Sequence, residues 1–231
     1  MTCLGEGVPF VAHYATYWPR RWHRQLIEGQ FAIGVAGEQV TLFKGDDTKG
    51  QKLSGPRHEA ALHQARVAWA GLLCSLIQDK YTLSNIPAVD IEDKPTIGIK
   101  AVHDSGSEVM LYFDKSTFLL TMLEAKVTAQ EIGGKLVKCE NFYSDHKSFG
   151  GVKLPSKYKT FYDGKLFVEG ETTAIKVHAT IDPAWFGTDG PARVKYAALL
   201  DSSPSYPSRH SGFFSASSRA APAATYSIPS N

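Results

Sequence analysis

The chain has 231 residues, room for one large domain or two small ones, with the 43% hydrophobic and 21% charged content of a soluble globular protein. Its 25 basic and 23 acidic residues are interspersed and leave a formal charge of +2, so no long-range field that would gather nucleic acid is expected. No apolar run reaches the ~18 residues that span a bilayer, and three widely spaced cysteines, Cys3, Cys74 and Cys139, fit neither a dense disulfide framework nor a zinc site.

The first residues carry neither a basic start nor an apolar core, so no export signal is read there. From Val8 to Phe43, apolar and polar residues alternate between breaks at Pro19, Gly29, Gly34 and Gly37, which predicts a meander of about three strands. The basic aromatic run Trp18 to Arg24 suggests phosphate gripping and base stacking. Strand alternation splits it, however, sending Arg21 and His23 to one face and Arg20, Trp22 and Arg24 to the other. Nucleic acid is therefore not expected as a partner.

A polar loop, Gly45 to Gly50, and the breaker Ser54-Gly55-Pro56 introduce a change of period. Between Arg57 and Gln78, apolar residues recur at Ala61, Leu62, Ala65, Trp69, Leu72, Leu73, Leu76 and Ile77. That stripe predicts one amphipathic helix of about six turns, packing on one side and wet on the other. Cys74 lies in this run and Cys139 alternates with Val137 in a strand. Both read as small core residues, with a single disulfide between them as the other reading in an oxidising compartment.

After the helix, strands are predicted at Tyr81 to Ile86, Thr96 to His103, Glu108 to Asp114, Phe118 to Val127 and Lys135 to Tyr143. Asp104-Ser105-Gly106 and Gly133-Gly134 make turns between them, and Asp163-Gly164 predicts a type I′ hairpin into Leu166 to Val177. The last residues, Asp201 to Asn231, are rich in Ser, Pro and Ala without aliphatic period, and read as a tail that does not bury enough surface to order.

Catalytic signatures are lacking. His58 and His63 are five apart, not at the i, i+4 spacing of a metal-binding helix, and no nucleophile elbow or phosphate loop occurs. Asp114, Asp145, Asp163 and Asp182 sit beside turn residues, where a short carboxylate accepts backbone hydrogen bonds. No catalytic residue, metal ligand or cofactor is assigned.

Three phrases remain: Phe113-Asp114-Lys115-Ser116-Thr117, Tyr143-Ser144-Asp145-His146 and Gly151-Val152-Lys153-Leu154-Pro155, followed later by Ile181-Asp182-Pro183-Ala184-Trp185-Phe186. In order and spacing they resemble the LolA-like superfamily of outer membrane lipoprotein-sorting proteins, related also to LolB, over about Gly7 to Phe186. Departures exist: Trp18 precedes Pro19 where well-known carriers have arginine, Phe118 stands where the nearest branch has glycine, and His146 where it has tyrosine.

The resemblance implies an α+β, mainly β fold: a curved antiparallel sheet forming an incomplete β-barrel, with one long helix over the concave face and an apolar hollow between. It implies a half-barrel domain over residues 1–195 with a truncated N-terminus, then the tail over 196–231. It further implies a monomer of the periplasm or cell envelope, not an integral membrane protein, whose partners are lipid or lipoprotein acyl chains and envelope proteins. Trp22, Phe31, Trp69, Leu73, Leu111 and Phe113 are the candidate liners of the hollow, with ordinary core packing as the competing reading of each. A structural or interaction module with the same fold and a filled core is the alternative for the whole chain.

Overall fold

The computed structural model describes residues 10–17, 22–27, 30–44, 50–78, 81–178 and 213–220. An N-terminal meander contains β1 (Val11–Tyr17), β2 (Trp22–Ile27), β3 (Phe31–Ala36), β4 (Gln39–Lys44) and the short β5 (Gln51–Lys52). Two helices follow, α1 (Gly55–Gly71) and α2 (Cys74–Gln78). The long second meander comprises β6 (Tyr81–Ile86), β7 (Asp90–Ile91), β8 (Lys94–His103), β9 (Glu108–Asp114), β10 (Leu120–Ala129), β11 (Lys135–Phe149), β12 (Val152–Tyr162) and β13 (Lys165–His178), and β14 (Phe213–Ala220) completes the set.

One antiparallel sheet runs in the order β5-β4-β3-β2-β1-β14-β13-β12-β11-β10-β9-β8-β6, with β7 hairpinned onto β8. Its end strands β5 and β6 are not paired with each other among the described residues, so the barrel is incomplete. The curvature follows from a single helix. α1 packs against β4 and also against β9 and β10. β4 and β10 are eight steps apart in the sheet order, which in a flat sheet is about 38 Å at ~4.8 Å per strand. A helix only ~10–12 Å across touches both because the sheet bends around it.

The core divides beneath this helix. Trp69, Leu62 and Ala65 pack with Val35 and Val40 of β3 and β4. On the other side, Val67 and Ala70 pack with Val109, Leu111, Leu123 and Val127 of β9 and β10.

Several predicted elements are in place. Asp163 and Gly164 both have positive φ, 48° and 74°, as a type I′ turn requires, and Tyr162 pairs with Lys165 across it. Gly106 closes the Asp104 turn with its N–H on the His103 carbonyl at 2.7 Å. β6 and β9 have the predicted ends.

Other elements differ for local reasons. The N-terminal meander has four full strands rather than three, because Gly34 lies inside β3, opposite Arg24 and Thr41, instead of breaking it. The predicted long helix stops at Gly71. The Leu72 and Leu73 amides turn back to the Trp69 and Ala70 carbonyls, each at 3.0 Å, in tighter turns, and Leu73 takes a left-handed φ of 63°. α2 then starts afresh at Cys74, and Ile77, assigned to the packing stripe, is 88% exposed. β10 starts at Leu120 rather than Phe118, since Phe118 also takes a left-handed φ, 57°, inside the turn that Asp114 organises.

Part of the Ser/Pro/Ala-rich segment holds a place in the sheet: β14 pairs with β1 on one side and β13 on the other. A central strand joins its neighbours through backbone N–H and C=O groups, which Ser and Ala supply as well as Val does. The remainder of 196–231, Cys3, the phrase from Ile181 to Phe186 and residues 18–21 of the basic aromatic run lie outside the described residues. Among the described residues, no helix is long and apolar enough to cross a membrane.

Candidate functional site

Between α1 and the concave face of the sheet lies a cavity of about 660 Å³, within the roughly 300–1,000 Å³ of ligand sites. Register explains its walls. Leu123 pairs with Leu111 and with Asn141, and Asn141 with Thr160, so alternate residues of β10, β11 and β12 share the inward face. On the opposite flank Tyr14 pairs with Gln25, Gln25 with Ile33 and Ile33 with Leu42, carrying that face through β1 to β4. Ala61, Val67 and Ala68 of α1, with Leu72 and Leu73 of the turn that follows it, close the hollow from above.

Of the six predicted liners, Phe31 and Leu73 face this cavity. Trp69 is buried against Val35 and Val40 instead, and Leu111 is fully buried beneath α1 with Val67 and Ala70. Phe113 is half-buried against the same cluster. The helix seats directly on β9, which seals these inward-facing side chains away from the hollow. The backbone of Trp22 pairs with Tyr17 and Ala36, and its side chain lies outside the described residues.

Sequence reasoning passed over the polar band across the cavity floor. Tyr14, Tyr143 and Tyr158 all line it, with Asn141 and Thr160 beside them. Thr160 Oγ1 donates to Asn141 Oδ1 at 2.6 Å, and Gln25 Nε2 donates to the Tyr14 hydroxyl oxygen at 3.4 Å. Desolvation by burial holds the Tyr14 and Tyr143 phenols well above the usual tyrosine range, Tyr158 adding to the effect at Tyr14. Burial likewise pushes the Cys139 thiol up to about 12 and lowers His23 to about 4. Cys74 and Cys139 are both free thiols. The signal that finds the band is spacing by two: Cys139, Asn141 and Tyr143 on β11, then Tyr158, Thr160 and Tyr162 on β12.

The charged liners sit toward the ends of their elements. Arg57 is in the first turn of α1, Lys153 near the start of β12, and Glu131, which accepts a hydrogen bond from Tyr162, in the short turn after β10. A second hollow of about 690 Å³ has a more polar wall that includes Lys157, Lys159, Glu169 and Glu171.

Asp114 and Asp163 sit in turns as expected, whereas Asp145 lies within β11 and bonds across to β12. Asp114 Oδ1 accepts from the N–H and O–H groups of both Ser116 and Thr117 at 2.6–3.0 Å, which holds its carboxyl well below the usual carboxylate range. Asp145 Oδ2 accepts from Ser156 Oγ at 2.8 Å, and Asp163 Oδ1 accepts from the Lys138 N–H at 2.9 Å. Asp182 is outside the described residues.

No family model matches the chain, and no curated protein matches it. Among solved structures it is similar to a DUF1329 family protein from Desulfovibrio piger, at 9% identity over 80% of this chain and 91% of that one, with a TM-score of 0.49. It is also similar to a LolA superfamily protein from Nitrosomonas europaea, at 12% identity over 99% and 90%, with a TM-score of 0.35. A third similar structure is an outer membrane lipoprotein-sorting domain from Vibrio parahaemolyticus, at 8% identity over 79% and 89%, with a TM-score of 0.41. Identity to each of the three is 12% or less.

Proposed function

We propose that this protein is a non-enzymatic carrier of the cell envelope, a monomer that shelters a lipid or the acyl chain of a lipoprotein between α1 and the curved sheet. The observation that carries this reading is the 660 Å³ cavity, walled largely by Ile27, Phe31, Leu42, Leu120, Leu123 and Val127. Each methylene moved from water into such a hollow gains about 0.8 kcal/mol. Ten of them give roughly 8 kcal/mol, the scale of a micromolar complex before ordering costs are subtracted. Asp114, Asp145 and Asp163 are each engaged in hydrogen bonds with the fold itself, which leaves little acid-base chemistry for an enzyme, and a filled core leaves no hollow of this size.

The test is native mass spectrometry of the chain purified without detergent from a bacterium with an outer membrane. The expected result is a reproducible added mass that organic solvent releases and that is identified as lipid. A bare mass, together with no uptake of a fluorescent fatty acid by the folded protein, overturns the carrier.

A further inference from the structure

In a meander, alternate connections fall at the same end of the sheet. The connection between β9 and β10, residues 115–119, and the turn between β11 and β12 at Gly150 and Gly151 therefore share one rim, two strand spacings or about 10 Å apart. The His146 ring, set against the backbone of Leu120, joins them. β11 pairs with β10 only up to Phe142, and β12 with β13 only from Lys157 onward, yet β11 and β12 stay paired from His146 and Pro155 to Phe149 and Val152. Residues 146–155 thus form a finger that, among the described residues, pairs only with itself, roughly 13 Å long at ~3.3 Å per residue. Its base is pinned at Asp145, whose carbonyl and carboxylate accept from Ser156 Oγ at 2.7 and 2.8 Å.

This rim is apolar where it meets water. Phe118 is 69% exposed and Val152 38%, and both also line the cavity between α1 and the sheet. Phe118 keeps its place with a left-handed φ of 57°, and a costly conformation held at an exposed site is a mark of function. The finger carries Lys147 and Lys153 and no carboxylate. Lys147 lies 3.1 Å from Asp145 and 3.8 Å from Glu171, while Lys153 and Lys115 make no ion pair among the described residues. The acidic turn of Glu92 and Asp93 stands at the same end but beyond β9, on the flank away from the finger.

The partner that suits such a rim is broad, negative at its surface and apolar beneath it. A bilayer with anionic headgroups has these properties, and it needs the side chains only to lie along one rim, not to converge on one atom. We infer that the protein docks on an anionic bilayer through this rim, Phe118 and Val152 entering among the acyl chains and Lys115 and Lys153 meeting the phosphates, so that the mouth of the cavity faces the membrane. The passage of an acyl chain through that mouth rests on the carrier reading; the docking itself does not.

The test is co-sedimentation of the purified chain with vesicles of phosphatidylcholine alone and of phosphatidylcholine mixed with phosphatidylglycerol. The mixed vesicles should bind it more tightly by about fivefold for each lysine in contact, roughly 25-fold for two, and salt should remove the difference. Lys115→Gln/Lys153→Gln should bring the mixed vesicles down to the level of the neutral ones. Phe118→Gly should weaken binding to both vesicle types about tenfold while raising the urea midpoint, a loss and a gain that general unfolding does not produce together. Equal binding to the two vesicle types, or binding that either variant leaves undiminished, overturns the docking. A wild type that takes up a fluorescent fatty acid in solution but stays off vesicles overturns the docking and leaves the carrier standing. One that binds vesicles as described and takes up no fatty acid overturns the carrier and leaves the docking.

Discussion

His23 faces inward on β2, its Nδ1 3.0 Å from the Thr16 hydroxyl, and desolvation lowers it from the ordinary 6.5 to about 4. The unfolded chain therefore binds a proton that the folded chain refuses between those two values, so stability falls as the pH drops through 6.5 toward 4. The loss at His23 is up to about 3 kcal/mol at 1.36 kcal/mol per unit. His63 and His146, also lowered by burial, act in the same direction, while His58, raised by its contact with the Glu38 carbonyl, acts oppositely. Urea midpoints at about pH 7.5 and about pH 5 should show this slope, and His23→Gln should flatten it; an unchanged slope would remove His23 as the cause. A second residue carries a backbone cost. Phe118 holds a left-handed φ of 57° while 69% exposed, so neither geometry nor burial favours an aromatic side chain there. Phe118→Gly should stabilise the fold by roughly 1 kcal/mol, read as a rise in urea midpoint. The turn role of Asp114 was legible in sequence because a carboxylate bonding two and three residues ahead is a local event. The inward face of Tyr14 was not, because β1 carries polar and apolar residues on both faces and only the register with Gln25 and Ile33 fixes which one is covered.

At the scale of elements, α1 serves two purposes, and substitutions should separate them. Leu111 lies beneath it in close packing, so Leu111→Ala should cost about 2–5 kcal/mol. Leu73, half-buried at the cavity, should cost far less when cut to alanine, while weakening acyl-probe binding. Chemical denaturation and probe titration of the pair give the comparison, and equal destabilisation by both would erase the distinction between floor and hollow. The helix and most strands of the second meander were readable because period and turn chemistry agree over long runs. The break after Gly71 was not, since apolar spacing continues unbroken through Leu72, Leu73, Leu76 and Ile77 and only the backbone reverses at Leu73.

In the whole molecule, the two meanders meet through one strand. Neither β1 nor β13 pairs with the other directly; β14 lies between them. A chain truncated after His178 is expected to expose two long strand edges, lose cooperative unfolding and self-associate. Light scattering and a thermal melt would check this, and a truncated protein with an unchanged melt would show that the joint is dispensable. Composition hid this part of the fold, since a Ser- and Ala-rich octet gives no hydrophobic period even where its backbone is fully engaged. The same arrangement bears on the order of events during synthesis. The ribosome makes β14 after all the other described strands, so each of those has been available for local hairpin pairing before the piece that unites them emerges. Until then the nascent chain presents two separate half-sheets with adhesive margins. The interval between residue 17 and residue 213 is therefore the period in which a holding chaperone would matter most, and the final step is the insertion of a strand rather than the collapse of a core.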